Sequence, residues 1–321
     1  MEYINKKTTE LTPLELEKIA ALFECVMGKE RSVEAFRNQY INNVFGTSYH
    51  VLMYEGEELV GHIAGVPGYF YLDGKKVVTL NNVDLMIHKD HRGLRPFWAL
   101  VDTAWTFYKE MGAQTIYSLP NNNSHPFLVK LEYVQEVAQL YTFCLPYRIG
   151  GVKKALWLLN PLSKIFCYGW AFFTGLFASR KPVEYKVQRD YESFSPTRWK
   201  RADGQYSFGE LKKNRFVYKI TEYEGIRTAF ILDIEKKSQK AFCDVVKYLM
   251  WREGKKFDLI LYVGYLPFTN PGMVRVPHNY EPKNFNFVAS ILNDEGITEE
   301  DKKIYLDINN WDINLSDDDI I

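Results

Sequence analysis

One order of elements occurs twice along this chain, and it constrains the fold more than any other feature. Two alternating runs around a glycine turn lead to an amphipathic helix and then to a short apolar strand. In the first half the runs lie at 48–65, the helix at 97–112 and the strand at 114–120. In the second half FVYKITEYEGIRTAFILDIE supplies the runs, KSQKAFCDVVKYLMWREGKK the helix and FDLILYVGYLP the strand. Period-two alternation marks strands and a 3.6-residue apolar spacing marks helices. The echo is one of pattern, not of identity. It predicts an α/β (α+β) chain with mixed sheets in two related units, 1–150 and 184–321, joined by an apolar helical linker at 151–183.

The first unit opens with LTPLELEKIAALFECVM, a helix with Thr12 as N-cap and Pro13 at its first position. EAFRNQYINN predicts a second helix. Residues 48–87 predict an antiparallel meander, because EGEE and DGKK are turn signals between alternating runs. SHPFLVKLE reads as a short helix and QLYTFCLPYRI as a strand.

Between the strand ending VDLMI and the helix beginning near Pro96-Phe97 lies HKDHRGLRPFW, residues 88–98. Amides at a helix start have no intrahelical partner, and the helix dipole favours an anion there. Such a turn is suited to a phosphate, and Gly93 permits close backbone approach. Pro96 removes one amide, at little cost to the helix. The Arg95 guanidinium can replace that contact with a charge-assisted one. The second unit has no counterpart of HRGLR between its hairpin and its helix.

Taken whole, VDLMIHKDHRGLRPFWALVDTAWTFYKEMGAQTIYSLPNNNSHPFLVKLEY resembles the acyl-CoA-binding core of the GNAT acetyltransferases. It looks most like bacterial members linked to polysaccharide modification. FRNQYINNVFGTSYHVLMYEGEELVGHIAG is similar to the family's opening segment, so the resemblance runs from about residue 34 to 141. The second half resembles the paired, degenerate unit of some members. The resemblance implies acetyl-CoA as acyl donor, held in a V between residues 83–87 and 114–119. Leu85, Met86, Ile87, Arg92, Gly93, Leu94, Arg95 and Phe97 would hold it, with Asn123 at its edge or capping the following helix. The family turn reads Arg/Gln-x-x-Gly-x-Gly/Ala. Arg92 fits its first position; Arg95 and Phe97 stand where small residues are usual. Two readings follow. In one, Arg95 makes good what Pro96 removes; in the other, Arg95 fills the slot and the fold serves as a non-catalytic binding or scaffold protein.

The implied reaction is direct acyl transfer, which needs a base for the acceptor and an acid for the thiolate. Regular alternation puts Val83, Leu85 and Ile87 on one face of the strand, and Asn82, Asp84, Met86 and His88 on the other. The resemblance implies substrate on that second face, which makes Asp84 the candidate base, directly or through water, with capping a neighbouring loop or holding a substrate group as the alternative. His125 is a second candidate, and Tyr133 and Tyr141 are candidate acids, each with a capping or core role as the alternative. His88 and His91 form H-x-x-H on a strand end and turn, without a third ligand, so no metal is expected.

Lys+Arg and Asp+Glu are both 40, which gives no global pull toward nucleic acid or an anionic surface. The acceptor is expected to be a small molecule, and the resemblance to polysaccharide-linked members implies a sugar. An aminoacyl-tRNA-dependent transferase, which also pairs two such units, is disfavoured by the neutral charge. Four dispersed cysteines and an N-terminus without an apolar signal core fit free thiols in a cytoplasmic protein. LWLLNPLSKIFCYGWAFFTGLF, residues 156–177, is interrupted by Asn160, Pro161, Ser163 and Lys164. It therefore reads as one or two buried helices rather than a membrane span, with weak interfacial membrane contact left open. Residues 179–201 carry seven Lys/Arg against three acids, read as a solvated linker or as a steering patch for an anionic substrate. Trp311–Leu315 predicts a last strand, followed by solvent-facing acids. The oligomeric state is not legible.

Overall fold

A computed structural model describes residues 1–200, 205–281 and 283–317. In chain order the first elements are β1 (Glu2–Lys7), α1 (Pro13–Met27), α2 (Val33–Ile41), β2 (Tyr49–Glu55), β3 (Glu58–Leu72), β4 (Lys75–Ile87), α3 (Leu94–Glu110), β5 (Thr115–Ser118), α4 (His125–Leu128) and β6 (Gln135–Gln139). There follow β7 (Tyr141–Leu145), α5 (Ile149–Val152), α6 (Asn160–Phe177), β8 (Val187–Arg189), α7 (Tyr191–Arg198), β9 (Ser207–Leu211), β10 (Asn214–Tyr223) and β11 (Ile226–Ile234). The last are α8 (Gln239–Glu253), β12 (Leu259–Gly264), β13 (Val274–Arg275), β14 (Asn286–Ile291) and α9 (Glu299–Tyr305).

Two compact units form, and they divide the chain differently from 1–150, 151–183 and 184–321. Unit 1 takes Met1–Gln139, Lys186–Gly204 and Phe285–Asp312; unit 2 takes Leu140–Tyr185, Gln205–Asn284 and Ile313–Ile321. Each holds one mixed sheet, in the order β1-β2-β3-β4-β5-β14-β6 for unit 1 and β13-β7-β12-β11-β10-β9 for unit 2. The strand expected at QLYTFCLPYRI is β7, and only its Gln139 belongs to β6: the chain leaves the first sheet there and joins the second at Tyr141.

In unit 1, helices cover both faces of the sheet, so β2 is buried at six successive positions. Val51 and Met53 pack with Leu100, Val101 and Ala104 of α3. Leu52 and Tyr54 pack on the opposite face with Ile19, Leu22 and Phe36 of α1 and α2. Thr12 and Glu15 form a capping box for α1, and Gly28 ends the helix at φ 66°. Gly65 lets Tyr108 of α3 lie directly on β3, for a Cβ there would come within 2.9 Å of the Tyr108 ring. β14 lies antiparallel between β5 and β6, where it closes the sheet with residues from far along the chain.

In unit 2, Phe242, Val246 and Leu249 of α8 pack with Phe216, Ile231, Ile260 and Tyr262 of the sheet. α6 also packs on this unit: Cys167, Ala171 and Gly175 are its buried residues, and Ser163 and Tyr168 donate to Pro146 O and Met250 O at 2.6 and 3.1 Å. The expectation of buried helices at 156–177 is corrected there: α6 exists, and its other face is open to solvent. Small side chains give close helix contact while the large ones point away.

Other expectations change as well. Residues 187–198 form β8 and α7 instead of a solvated linker, with Arg189 and Arg198 buried; Arg201 lies outside the described residues. Arg189 sits 4.4 Å over the Phe194 ring, a placement its flat guanidinium allows. The tail forms single bridges at Trp311 and Asn314 and a short turn at Leu315–Asp317, in place of a strand. Asp317 is buried and accepts a hydrogen bond from the Asn314 amide; Asp318 and Asp319 lie outside the described residues. Cys167 and Cys243 are buried packing thiols, while Cys25 is exposed.

Candidate functional site

β4 is not a regular strand. Ala64 pairs with Val83 and His62 with Met86, so Ile63 faces both Asp84 and Leu85 across a β-bulge. Asp84 takes φ 51°, the left-handed region that Asp enters more readily than most L-residues. Such a conformation costs about 1–3 kcal/mol and persists where its surroundings hold it. Here Tyr40 and Gln39 of α2 donate to its carboxylate, at 2.8 and 3.2 Å. The bulge also corrects the expected faces. Val83 and Met86 share the α1–α2 side, while Leu85 and Ile87 lie on the α3 side.

Beneath Asp84 lies a polar chain that sequence reasoning missed. His50 of β2 and His62 of β3 are fully buried, and His50 Nδ1 lies 3.1 Å from His62 Nε2. His50 Nε2 is 2.9 Å from the Thr8 hydroxyl. The Tyr40 ring meets His50 edge-on at 4.5 Å. Burial holds both imidazoles neutral: His50 falls well below the usual histidine range, and His62 falls to about 3 against a weak opposing contact from the Asp84 backbone. The one available sequence signal was polar residues at inward positions of strands buried on both faces.

β4 and β5 run parallel and are paired at Thr79–Thr115, Leu80–Ile116 and Asn81–Tyr117. The Ser118 hydroxyl donates to Asn82 O at 3.0 Å, and β5 then ends while β4 continues through the bulge to Ile87. Beyond that contact no ladder pairing joins β4 to β5 among the described residues, and β4 runs on alone on this side toward the turn before α3.

That turn is closed by its own groups. Arg92 Nε donates to Ile87 O at 3.1 Å, which makes this arginine a brace. Gly93 is the N-cap of α3 and supplies no side-chain cap. The first helical bond runs from Phe97 N to Gly93 O at 3.2 Å. Among the described residues, the amides of Gly93, Leu94 and Arg95 therefore have no protein acceptor. α3 begins at Leu94 rather than near Phe97, because Pro96 is accommodated in the first turn, where an amide would lack a helical partner. The Arg95 side chain is exposed and makes no ion pair or hydrogen bond among the described residues. Phe97 is buried against Phe127, at 5.6 Å between rings. These groups fit a phosphate-bearing ligand: three unclaimed amides, a helix N-terminus and a free guanidinium.

The remaining expected residues stand apart from that turn. His125 opens α4 and lies 3.4 Å from Glu136 of β6. Asn121, not Asn123, organises the turn, because its side chain accepts from the amides of Asn123 and Ser124. Asn123 is exposed. The Tyr133 hydroxyl donates to Asp102 on α3, and burial together with that carboxylate pushes its pKa well up. Tyr141 belongs to unit 2, where Arg275 lies 4.0 Å over its ring. His91 contacts Glu55 at 3.2 Å, and His88 Nδ1 accepts from the Asp90 amide. Among the described residues no three His, Cys, Asp or Glu side chains are grouped to hold a metal ion.

Residues 16–133 match the acetyltransferase (GNAT) family. No curated protein matches the chain by sequence. Solved structures do match its fold. A GCN5-related N-acetyltransferase from Anabaena variabilis aligns with TM-score 0.58 at 12% identity, over 91% of this chain and 73% of that one. Eis1 from Mycobacterium abscessus aligns with TM-score 0.55 at 12% identity, over 92% and 75%. The N-myristoyltransferase of Saccharomyces cerevisiae, solved with bound myristoyl-CoA, aligns with TM-score 0.55 at 10% identity, over 90% and 78%. The fold is the GNAT fold, extended over two mixed sheets.

Proposed function

We propose that unit 1 transfers an acyl group, acetyl in the first instance, from acyl-CoA to an amine or hydroxyl of a small acceptor. One observation carries this reading. The uncapped start of α3 lies at the open end of a parallel strand pair, beside a bulge that presents Asp84. The amides of Gly93, Leu94 and Arg95 and the Arg95 guanidinium would hold the pyrophosphate; the bound acyl-CoA supplies the activated thioester. Asp84 takes the acceptor's proton, directly or through one water, as the nucleophile attacks the thioester carbonyl; the C–S bond then breaks and CoA leaves as a thiolate that takes its proton from water. Tyr40 and Gln39 keep that carboxylate oriented. A sugar acceptor is supported by the sequence resemblance to polysaccharide-linked members.

Calorimetric titration with acetyl-CoA tests the donor. At one hundred times its dissociation constant the ligand should stabilise the chain by about 2.7 kcal/mol in a thermal scan. Arg95→Ala should weaken binding by about tenfold, the size of one charge-assisted contact. Thiol release across a panel of amines, amino sugars and alcohols then identifies the acceptor class. Arg95, Pro96 and Phe97 also favour a second reading, a non-catalytic binding protein. Flat calorimetry at millimolar acetyl-CoA, with no thermal shift, would select it.

A further inference from the structure

α6 is amphipathic in the reverse of the usual sense. Its inward stripe is Cys167, Ala171 and Gly175, spaced four residues apart, with Gly175 so close to α8 that a Cβ would meet Lys247 Nζ at 2.6 Å. Its outward face carries Leu162, Ile165, Phe166, Phe173, Leu176 and Phe177, between 60% and 87% exposed. Their spacing follows i, i+3, i+4, i+11, i+14 and i+15, one side of an α-helix. Isolated exposed apolar residues need no account, but six large ones on one helix face do. The surface continues beyond the helix. Trp157 precedes it at 63% exposed, and Trp251 of α8 is 80% exposed. Trp251 borders a groove of about 570 Å³ lined also by Tyr168, Phe172 and Tyr248, with Lys212, Lys247 and Arg252 against one acid, Asp244.

Charge decides what covers this face. No Asp or Glu occurs from residue 137 to residue 183, while six Lys or Arg do. Lys153 and Lys154 are exposed before α6, and Arg180 and Lys181 are exposed after it. Two copies joined through the same patch would bring like-charged ends together, a penalty that an anionic surface turns into attraction. Tryptophan and tyrosine at the margin suit the headgroup layer, where a ring is apolar on its body and polar at its tip. No helix among the described residues is long and apolar enough to cross a membrane, so α6 would lie on a bilayer and not through it.

We propose that the outward face of α6, with the basic residues at its two ends, is a peripheral binding surface for an anionic lipid bilayer. This does not depend on the acyl-transfer reading. The full chain should co-sediment with vesicles of phosphatidylcholine and phosphatidylglycerol in equal parts. It should bind phosphatidylcholine alone far more weakly, and added salt should loosen the anionic complex. The double variant Phe173→Glu, Leu176→Glu should bind about tenfold less, or weaker still, because it puts charge where acyl chains would lie. Lys153→Glu with Lys154→Glu should lower binding to anionic vesicles and leave the residual neutral-vesicle binding unchanged. All four side chains point outward, so circular dichroism and the melting temperature should match the parent. A parent that stays in solution with anionic vesicles overturns the proposal, as does a Phe173/Leu176 variant that binds as well as the parent. A dimer dissolved by the Phe173/Leu176 change, without vesicle binding, would assign the face to a second copy instead.

Discussion

The two sheets repeat one neighbour order, and they differ where the repeat would matter for chemistry. β2-β3-β4-β5-β14-β6 in unit 1 corresponds, strand for strand, to β9-β10-β11-β12-β7-β13 in unit 2. Each has a parallel pair bridged by one helix, β4-α3-β5 and β11-α8-β12, with an antiparallel strand beside it taken from the other half of the chain. Each also keeps an extra residue near the end of the strand before the helix. In β4 the bulge holds Asp84 at positive φ; in β11 the extra residue is Leu232, which is fully buried. The helix starts differ too. Ser238 caps α8 by accepting from Ala241 N at 3.1 Å, whereas α3 starts at a glycine with nothing to offer its own amides. Just before Ser238, Lys237 and Asp233 form a buried pair at 2.9 Å. A backbone plan can therefore be repeated while its ligand-receiving end is closed in one copy by a single serine and open in the other.

The largest test of this contrast is Asp84→Asn. Asparagine tolerates the same positive φ and keeps acceptor and donor atoms near Tyr40 and Gln39, so the fold should hold. The acceptor-dependent rate of thiol release should fall by about a hundredfold or more, with acetyl-CoA binding nearly unchanged. An equal loss of both would make Asp84 a structural group like its counterpart in β11.

Next comes acid sensitivity of unit 1. His50 and His62 are neutral when folded and take up protons when unfolded, with an ordinary pKa of 6.5 against about 3 for folded His62. Their contribution is complete above pH 6.5 and is lost as the pH falls from there toward about 3. Both rings steepen the slope in the same sense, and the window from 6.5 to about 3 is that of His62. Calorimetric melts at stepped pH should show this limb, and His50→Gln with His62→Gln should flatten it.

A smaller effect closes α3 in the manner of α8. Gly93 has extended backbone, and a Cβ there would meet only the Pro96 ring, at 3.6 Å. Gly93→Asp should stabilise the helix by a few tenths of a kcal/mol while weakening acetyl-CoA binding by about tenfold, because the new carboxylate competes for the same amides. Ser238→Ala has the smallest effect on ligand binding: it should cost about 0.5–2 kcal/mol in urea unfolding and create no acetyl-CoA site, since Lys237 and Asp233 remain.

Much of the architecture was legible because it is local. The meander at 48–87, the helix after it and the echo in the second half follow from periodicity and turn residues that act on near neighbours. The exchange of β7 and β14 between the sheets was not legible, because strand pairing across more than a hundred residues leaves no mark on a single sequence. Alternation also misassigned Val83, since one bulge reverses every face beyond it. The turn at 92–97 was located correctly as a helix start, but the division of labour between its arginines needed coordinates: Arg92 braces, and Arg95 is free. His50 and His62 are twelve residues apart in apolar strands, and only the register brings their rings together. For α6 the error lay in assuming that a strongly apolar helix must be interior.

The position of β14 bears on how this polypeptide is made. As the chain leaves a ribosome, everything in the first sheet through β6 emerges while the inner edge of β5 still has no neighbour there, and about 150 further residues must follow before residues 286–291 arrive to bond with it. During that interval a bare strand edge is exposed to any other nascent segment, which is the setting in which aggregation and mispairing begin. Expression of the first 150 residues alone would freeze the chain at that stage, so the first sheet needs nearly the whole polypeptide, from Glu2 to Ile291, whereas every strand of the second lies between Tyr141 and Arg275.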